Sequence, residues 1–357
     1  MVEWYSGRVI EWEPLKVLPR MAASLRLFTL PLYHFTTLSL LLLLFMMPLS
    51  SARASSIDAN AGTGGANFMK IGAGNARALA LGRAYVALAE GADALVWNPA
   101  GLAAASQREL QVGILDWVQD FRGEYLGYVH PTGGRAVLGG NFGYFSLKGF
   151  DARDSNGVPL VSSQVEVRNF FATLSIARSF LYEKLFFGLS AKNIHEDYSG
   201  PVTDVIVGDV GLIYKPREHF SIGASWQNLG DKEKVAQTVR WGLAWQAGDF
   251  LQVSMEMAKD SDNRSRLGLG AELLFPEELV QVGQAAFRVG YYDADSQGIN
   301  QESALLKRLR LDRTAGVSFG AGVFTHQAFG YGIGVDYSMS PMGALGVAHQ
   351  FMLKFKF

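Results

Sequence analysis

A chain of 357 residues accommodates two average domains or one large all-β domain, and a formal charge of −1, from 32 basic and 33 acidic residues spread along it, leaves no electrostatic footprint for nucleic acid. The absence of cysteine excludes thiol catalysis, iron–sulfur clusters, disulfides and the common structural zinc sites. Only 18% of residues are charged, against about 25% in an ordinary soluble domain, while 40 are glycine and 12% aromatic, so much of the surface is expected to face something other than water.

Between Leu27 and Ala52, His34 is the only side chain able to carry charge near neutral pH; the apolar run 38–47 is followed by Ala52-Arg53-Ala54. A short apolar run closed by a small-residue motif reads as a secretory signal peptide, residues 1–54, with the mature chain beginning at Ser55. A retained anchor is the alternative, since about 20 apolar residues can cross a bilayer. Pro31 and Pro48, however, bracket a core of signal-peptide length. Residues 1–20 are acidic for a leader and read as lying upstream of a true start at Met21.

From Glu109 onward the dominant period is two, in stretches of about eight to twelve residues. In QTVRWGLAWQ, Val239, Trp241, Leu243 and Trp245 share one face, opposite Arg240, Gly242, Ala244 and Gln246. FLQVSMEMA divides likewise, with Leu251, Val253, Met255 and Met257 opposite Gln252, Ser254, Glu256 and Ala258. The same rule predicts fourteen strands, starting near 109, 124, 135, 166, 186, 204, 220, 237, 251, 266, 286, 313, 330 and 346.

A soluble β-sandwich alternates too. Three features favour a transmembrane barrel over residues 109–357. Connections after strands two, four, six and eight are short, whereas those after odd strands include 149–165, 228–236 and 293–312. Trp117, Tyr128, Tyr144, Tyr214, Trp226, Tyr291 and Tyr337 fall near strand ends, where interfacial girdles lie. The chain ends VAHQFMLKFKF, with Phe351, Leu353, Phe355 and Phe357 on one face; a strand running to a terminal Phe resembles the signal read by the barrel-assembly machinery of Gram-negative outer membranes. The expected fold is therefore an all-β, fourteen-stranded antiparallel barrel in a Gram-negative outer membrane, in contact with its lipid and lipopolysaccharide.

Fourteen strands enclose a lumen too wide for small side chains to fill. Residues 55–108, whose Leu79, Leu81, Tyr85, Val86, Leu88, Leu95, Val96 and Trp97 need burial, are expected to form a plug inside it. A short helix is predicted over 91–97, brought to a turn by Pro99 and Gly101. A periplasmic tail is the alternative.

The stretch FMKIGAGNARALALGRAYVALAEGADALVWNPAGLA, 68–103, resembles the amino-terminal signature of the PorV/PorQ and UPF0164 proteins, within the superfamily of FadL-type fatty-acid transporters. That resemblance implies a fourteen-stranded barrel with its amino-terminal segment in the lumen, and makes Gly82, Asn98, Pro99 and Gly101 the positions that shape the plug. Ala80 and Arg83 stand where many relatives have Gly-rich neighbours.

Other motifs are weak. GVSFG, around Ser318, matches the nucleophile-elbow pattern but lies in a strand rather than at a strand-to-helix turn. Asp151, Asp154 and Asn156 lack the spacing of a calcium loop. The six histidines have no zinc spacing. G-x-G fragments in GYGIGVDY and GAGNAR open no βαβ unit and read as glycines of the barrel's inner face. The basic run 302–313, with Lys307, Arg308, Arg310 and Arg313, reads as a helix capping the mouth or a contact for lipopolysaccharide phosphates or a secreted protein.

No nucleophile, acid–base pair, metal site or cofactor site emerges, so no enzyme is expected. Two functions remain. One is passive transport of small hydrophobic compounds such as fatty acids, with Tyr85, Leu88 and Trp97 of the plug as candidate ligand contacts. The alternative, implied by the resemblance to PorV, is a component of type IX-like secretion that receives exported proteins.

Overall fold

Strict alternation in these segments gives each strand one apolar and one small or polar face, and closing them edge to edge pairs both borders of every strand around the body of the barrel. The computed structural model describes residues 60–133, 136–153, 156, 158–200, 202–276, 280, 283–293, 316–328, 331–342 and 345–357. The expected leader, residues 55–59 of the plug segment and the basic run 302–313 lie outside the described residues.

Fourteen antiparallel strands form a closed barrel. They are β1 (Glu109–Asp116), β2 (Arg122–Pro131), β3 (Ala136–Arg153), β4 (Pro159–Phe180), β5 (Leu185–Asp197), β6 (Thr203–Arg217), β7 (Phe220–Leu229), β8 (Thr238–Ala247), β9 (Leu251–Asp260), β10 (Ser265–Phe275), β11 (Gln284–Tyr292), β12 (Val317–Ala328), β13 (Tyr331–Pro341) and β14 (Val347–Lys356). Each pairs with its sequence neighbours, and β1 closes on β14 in continuous register from Glu109↔Lys356 to Asp116↔His349. The terminal pair is extended by Phe357, whose N–H donates to the Arg108 carbonyl at 3.0 Å and whose carbonyl accepts from Arg108 N–H at 3.1 Å.

On β8, Val239, Trp241 and Trp245 are exposed on the outer wall, while Thr238, Arg240 and Ala244 are buried on the inner one. The pattern repeats around the barrel: Ile114, Leu126, Leu174, Ile206, Phe287 and Phe351 all project outward and exposed. An apolar belt of this extent is what a barrel presents to lipid. Trp117 departs from the expected girdle; it sits in the connection after β1 and packs against the apolar cluster inside the barrel.

The predicted connection 149–165 is corrected by the structure. β3 continues to Arg153 and β4 begins at Pro159, so most of that segment is strand. Register shifts between Leu147 and Phe150 and between Asp151 and Arg153 interrupt the alternation by which strands are recognised, while the two chains stay paired.

Inside the wall lies the amino-terminal segment. A 3₁₀ turn at Asn67–Ile71 leads into α1 (Ala76–Ala80), whose first turn is capped by the Asn75 side chain accepting from Ala78 N–H at 2.8 Å. Two further 3₁₀ turns follow, Gly91–Val96 and Pro99–Ala104. The sequence expectation was one helix ended by Pro99. Instead Pro99 opens the second turn, because a first helical residue needs no N–H donor and its fixed φ suits the position. GAGNAR also belongs to this segment and not to the wall.

Candidate functional site

The segment is seated, not suspended. Leu81, Tyr85, Leu95, Trp97 and Leu102 are at most 1% exposed, and burial of side chains this size is worth roughly 1.5–3 kcal/mol each. They form one cluster with Val129, Val137, Ala177, Phe186, Ile213 and Ala244 of the inner wall.

Small residues on the wall permit the contact. A Cβ on Gly290 would lie 1.9 Å from the Gly82 nitrogen. One on Gly188 would lie 2.3 Å from the Pro99 carbonyl carbon, and one on Gly211 2.0 Å from Asn98 Oδ1. Gly82 itself has φ +59°, a left-handed conformation that brings the plug backbone against that of Tyr291.

Polar anchors fix the register of plug on wall. Glu256 of β9, 1% exposed, accepts through Oε2 from Tyr85 N–H at 2.8 Å, Val86 N–H at 2.7 Å and Trp97 Nε1 at 3.0 Å. Its Oε1 accepts from Arg240 at 2.8 Å, and that guanidinium lies 4.6 Å above the Trp97 ring. Asn98 donates to the carbonyls of Val86 at 2.9 Å and of Leu212 and Ala224 at 3.3 Å, while its Oδ1 accepts from Ala100 N–H. Ser318 donates to the Ala80 carbonyl and accepts from Gly82 N–H, both at 3.0 Å, so the motif that mimics a nucleophile elbow is a plug anchor. Arg83 donates to the carbonyls of Lys70 and Ile71.

At the end of the barrel that carries the short turns, Arg77, Leu88, Glu90 and Asp93 of the plug border a vestibule of about 480 Å³. Several of its charges are paired, some of them across plug and wall. Arg77 meets Glu90 at 2.6 Å and Glu272 at 2.7 Å, Arg288 joins Glu272 to Asp336, and Lys354 meets Asp93 at 2.5 Å. Burial pushes the Asp93 carboxyl up, but Lys354 beside it and the amide donated by Gln111 hold it below the usual carboxylate range. Glu90 is exposed, and the Arg77 guanidinium beside it holds its carboxyl below that range.

Toward the opposite mouth an apolar cluster occupies part of the lumen. Phe68 of the 67–71 turn is 3% exposed and stands 5.1 Å, centroid to centroid, from Phe145 of β3, which stacks on Phe171 of β4 at 6.2 Å. Residues 60–74 form a strap over this cleft, tied at its rim: Gly64 N–H donates to Asp262 at 3.1 Å, Ala66 N–H to Glu196 at 3.0 Å, and Lys70 pairs with Asp262 at 2.6 Å.

The sequence-predicted plug residues thus fall in three places. Gly82, Asn98 and Pro99 lie on the seam between plug and wall, whereas Gly101 packs inside the plug, against the Ala89 carbonyl and Ala94. Tyr85 and Trp97 are buried in the plug core, 6.4 Å apart edge to face. Leu88 borders the vestibule. Phe351, Leu353, Phe355 and Phe357 lie on the outer face of β14 and its terminus, with Phe351 and Phe357 exposed. Glu256, Arg240, Phe68, Phe145 and Phe171 were not singled out by sequence. Glu256 stands on the polar face of an alternating strand, where nothing distinguishes an anchor from a solvated lumen charge. Among the described residues no group of His, Asp and Glu is arranged to hold a metal ion.

These features define a class: a fourteen-stranded antiparallel barrel closed from within by its own amino-terminal segment. The chain is similar in fold to the toluene transporter TbuX of Ralstonia pickettii, with 16% identity, 79% of this chain and 97% of that one covered, and a TM-score of 0.51. It is likewise similar in fold to the toluene transporter TodX of Pseudomonas putida, with 13% identity, the same shares covered and a TM-score of 0.52. No protein-family model and no curated protein matches it.

Proposed function

We propose that the protein is a passive outer-membrane channel for small hydrophobic molecules. The observation that carries this reading is the aromatic cleft inside the lumen, where Phe68, Phe145 and Phe171 meet between a polar rim and the plug core. A pore for water-soluble solutes needs a continuous wet lumen; here the wall and plug backbones touch at glycines and the interior is packed. Apolar burial supplies the driving force for capture and needs no nucleotide or metal. The fold shared with two toluene transporters supports the same reading.

Uptake tests it. Gram-negative cells lacking their own hydrocarbon channels are expected to take up labelled toluene faster when they express the protein, with no gain in permeability to a hydrophilic sugar. Equal toluene uptake with and without the protein overturns the reading.

A second reading, the receipt of exported proteins implied by the PorV resemblance, has one structural feature in its favour. Past Ser146 on β3 and before Arg168 on β4 the two strands have, among the described residues, only each other as strand partners, so the hairpin offers two edges to which an extended peptide can add.

A further inference from the structure

Phe68 is the only aromatic residue of the strap. Next to its ring is a cavity of about 20 Å³, bounded by Phe68, Phe145, Phe171, Asn141 and Lys192 and large enough for one water-sized group. Asn141, on β3, is 7% exposed, and neither atom of its amide meets a hydrogen-bond partner at ordinary distance among the described residues, its polar neighbour being the equally unpartnered Tyr125 hydroxyl. Its register neighbour Thr173, 3% exposed, has an unpartnered hydroxyl as well. Lys192 differs, since Asp209 at 2.9 Å and Asn228 at 3.0 Å already engage its ammonium.

We propose that Phe68 holds the place of a monocyclic aromatic ligand bearing one hydrogen-bonding substituent, a phenol, and that Asn141 reads that substituent. This deepens the transport reading and rests on it. The ligand's ring takes the volume of the Phe68 phenyl group between Phe145 and the plug, and its hydroxyl enters the adjoining cavity. An amide both donates and accepts, which suits a neutral hydroxyl. A carboxylate finds no uncommitted cation there, because Lys192 is neutralised by Asp209. A long acyl chain finds no continuous space, because Leu95 and Val96 of the plug close the cleft. The strap is held by Glu196 and Asp262 of the wall and by Arg83 of the plug, none of which bonds Phe68 itself, so its ring can swing out between these ties.

The test uses the mature full-length protein in lipid nanodiscs and equilibrium dialysis of labelled p-cresol, toluene and decanoate, with binding to protein-free discs subtracted. The wild type is expected to bind p-cresol about tenfold more tightly than toluene, and decanoate more weakly than either. Phe68→Ala, which removes the internal competitor, is expected to tighten p-cresol binding about tenfold. Asn141→Leu is expected to abolish the preference for p-cresol, bringing the two affinities together; should that variant fail to assemble, Asn141→Ala carries the same comparison. A p-cresol to toluene ratio unmoved by loss of the amide, or tighter binding of decanoate, overturns the inference while the transport reading stands. No binding of any probe by the wild type or Phe68→Ala overturns both.

Discussion

Trp97 and Glu256 are joined at 3.0 Å, indole Nε1 to carboxylate Oε2, although 159 residues separate them in the chain. The same carboxylate collects two plug N–H groups and the Arg240 guanidinium, so one wall side chain clasps the plug at three points and is neutralised from behind. Breaking one partner of such a buried set leaves an uncompensated charge and typically costs about 3–5 kcal/mol. Glu256→Leu is therefore expected to free the plug while the barrel stays assembled. The check is single-channel recording in planar bilayers: the wild type should be closed to ions, and the variant should conduct. A variant as closed as the wild type would show that apolar packing alone seats the plug.

Gly290 of the wall lies directly against Gly82 of the plug, and Gly290→Ala should act through space alone. The added methyl would sit 1.9 Å from the Gly82 nitrogen, inside any tolerable contact, so the turn around Gly82 must move away from β11. Overpacking of this kind costs about 1–3 kcal/mol. Gly208→Ala is the control, since its Cβ would meet only the Ser190 carbonyl oxygen at an ordinary 3.5 Å. Limited proteolysis of the plug is expected to rise for the first variant only. Equal protection of both would mean that the plug backbone yields freely at this point.

Much of the barrel was legible because period two survives in a lipid-facing wall. The starts predicted near 109, 220 and 251 coincide with β1, β7 and β9. The failure at 149–165 has a local cause, since bulges shift the phase of side chains without ending the pairing. The plug's existence followed from apolar residues that needed burial, but its anchoring did not. Arg77 and Glu272 are 195 residues apart, and neither carries a local signature that names the other. Pro99 was misread because a proline after a short helix and one opening the next turn look alike in sequence.

Acid should release the vestibule end of the plug, with a defined sign. The Asp93 carboxyl, buried beside Lys354, and that of Glu90, exposed beside Arg77, are both held below their ordinary range. A carboxyl depressed in the docked state stabilises docking fully above its undocked value, about 3.9 for Asp and 4.3 for Glu, and loses that contribution as pH falls through the docked value. Hydrogen exchange of 89–94 is expected to stay flat, once corrected for intrinsic rate, from neutral pH to about pH 4 and to rise below it. Asp93→Asn should exchange faster at neutral pH and respond less to acid. A transition of the wild type between about pH 5 and pH 8 would contradict the assignment.

Phe357 separates recognition from stability. Its backbone completes the β1–β14 seam through Arg108, but its side chain is 46% exposed on the outer face and adds little internal packing. Phe357→Ser keeps the two backbone hydrogen bonds and removes the terminal aromatic of the Phe351, Leu353, Phe355, Phe357 face. If the assembly machinery reads that face, the variant should reach the outer membrane in cells at a several-fold lower level while refolding from urea into detergent micelles at the wild-type rate. Slower refolding in the micelles as well would place the effect in the barrel itself. Normal levels in cells would remove the terminal aromatic from the assembly signal.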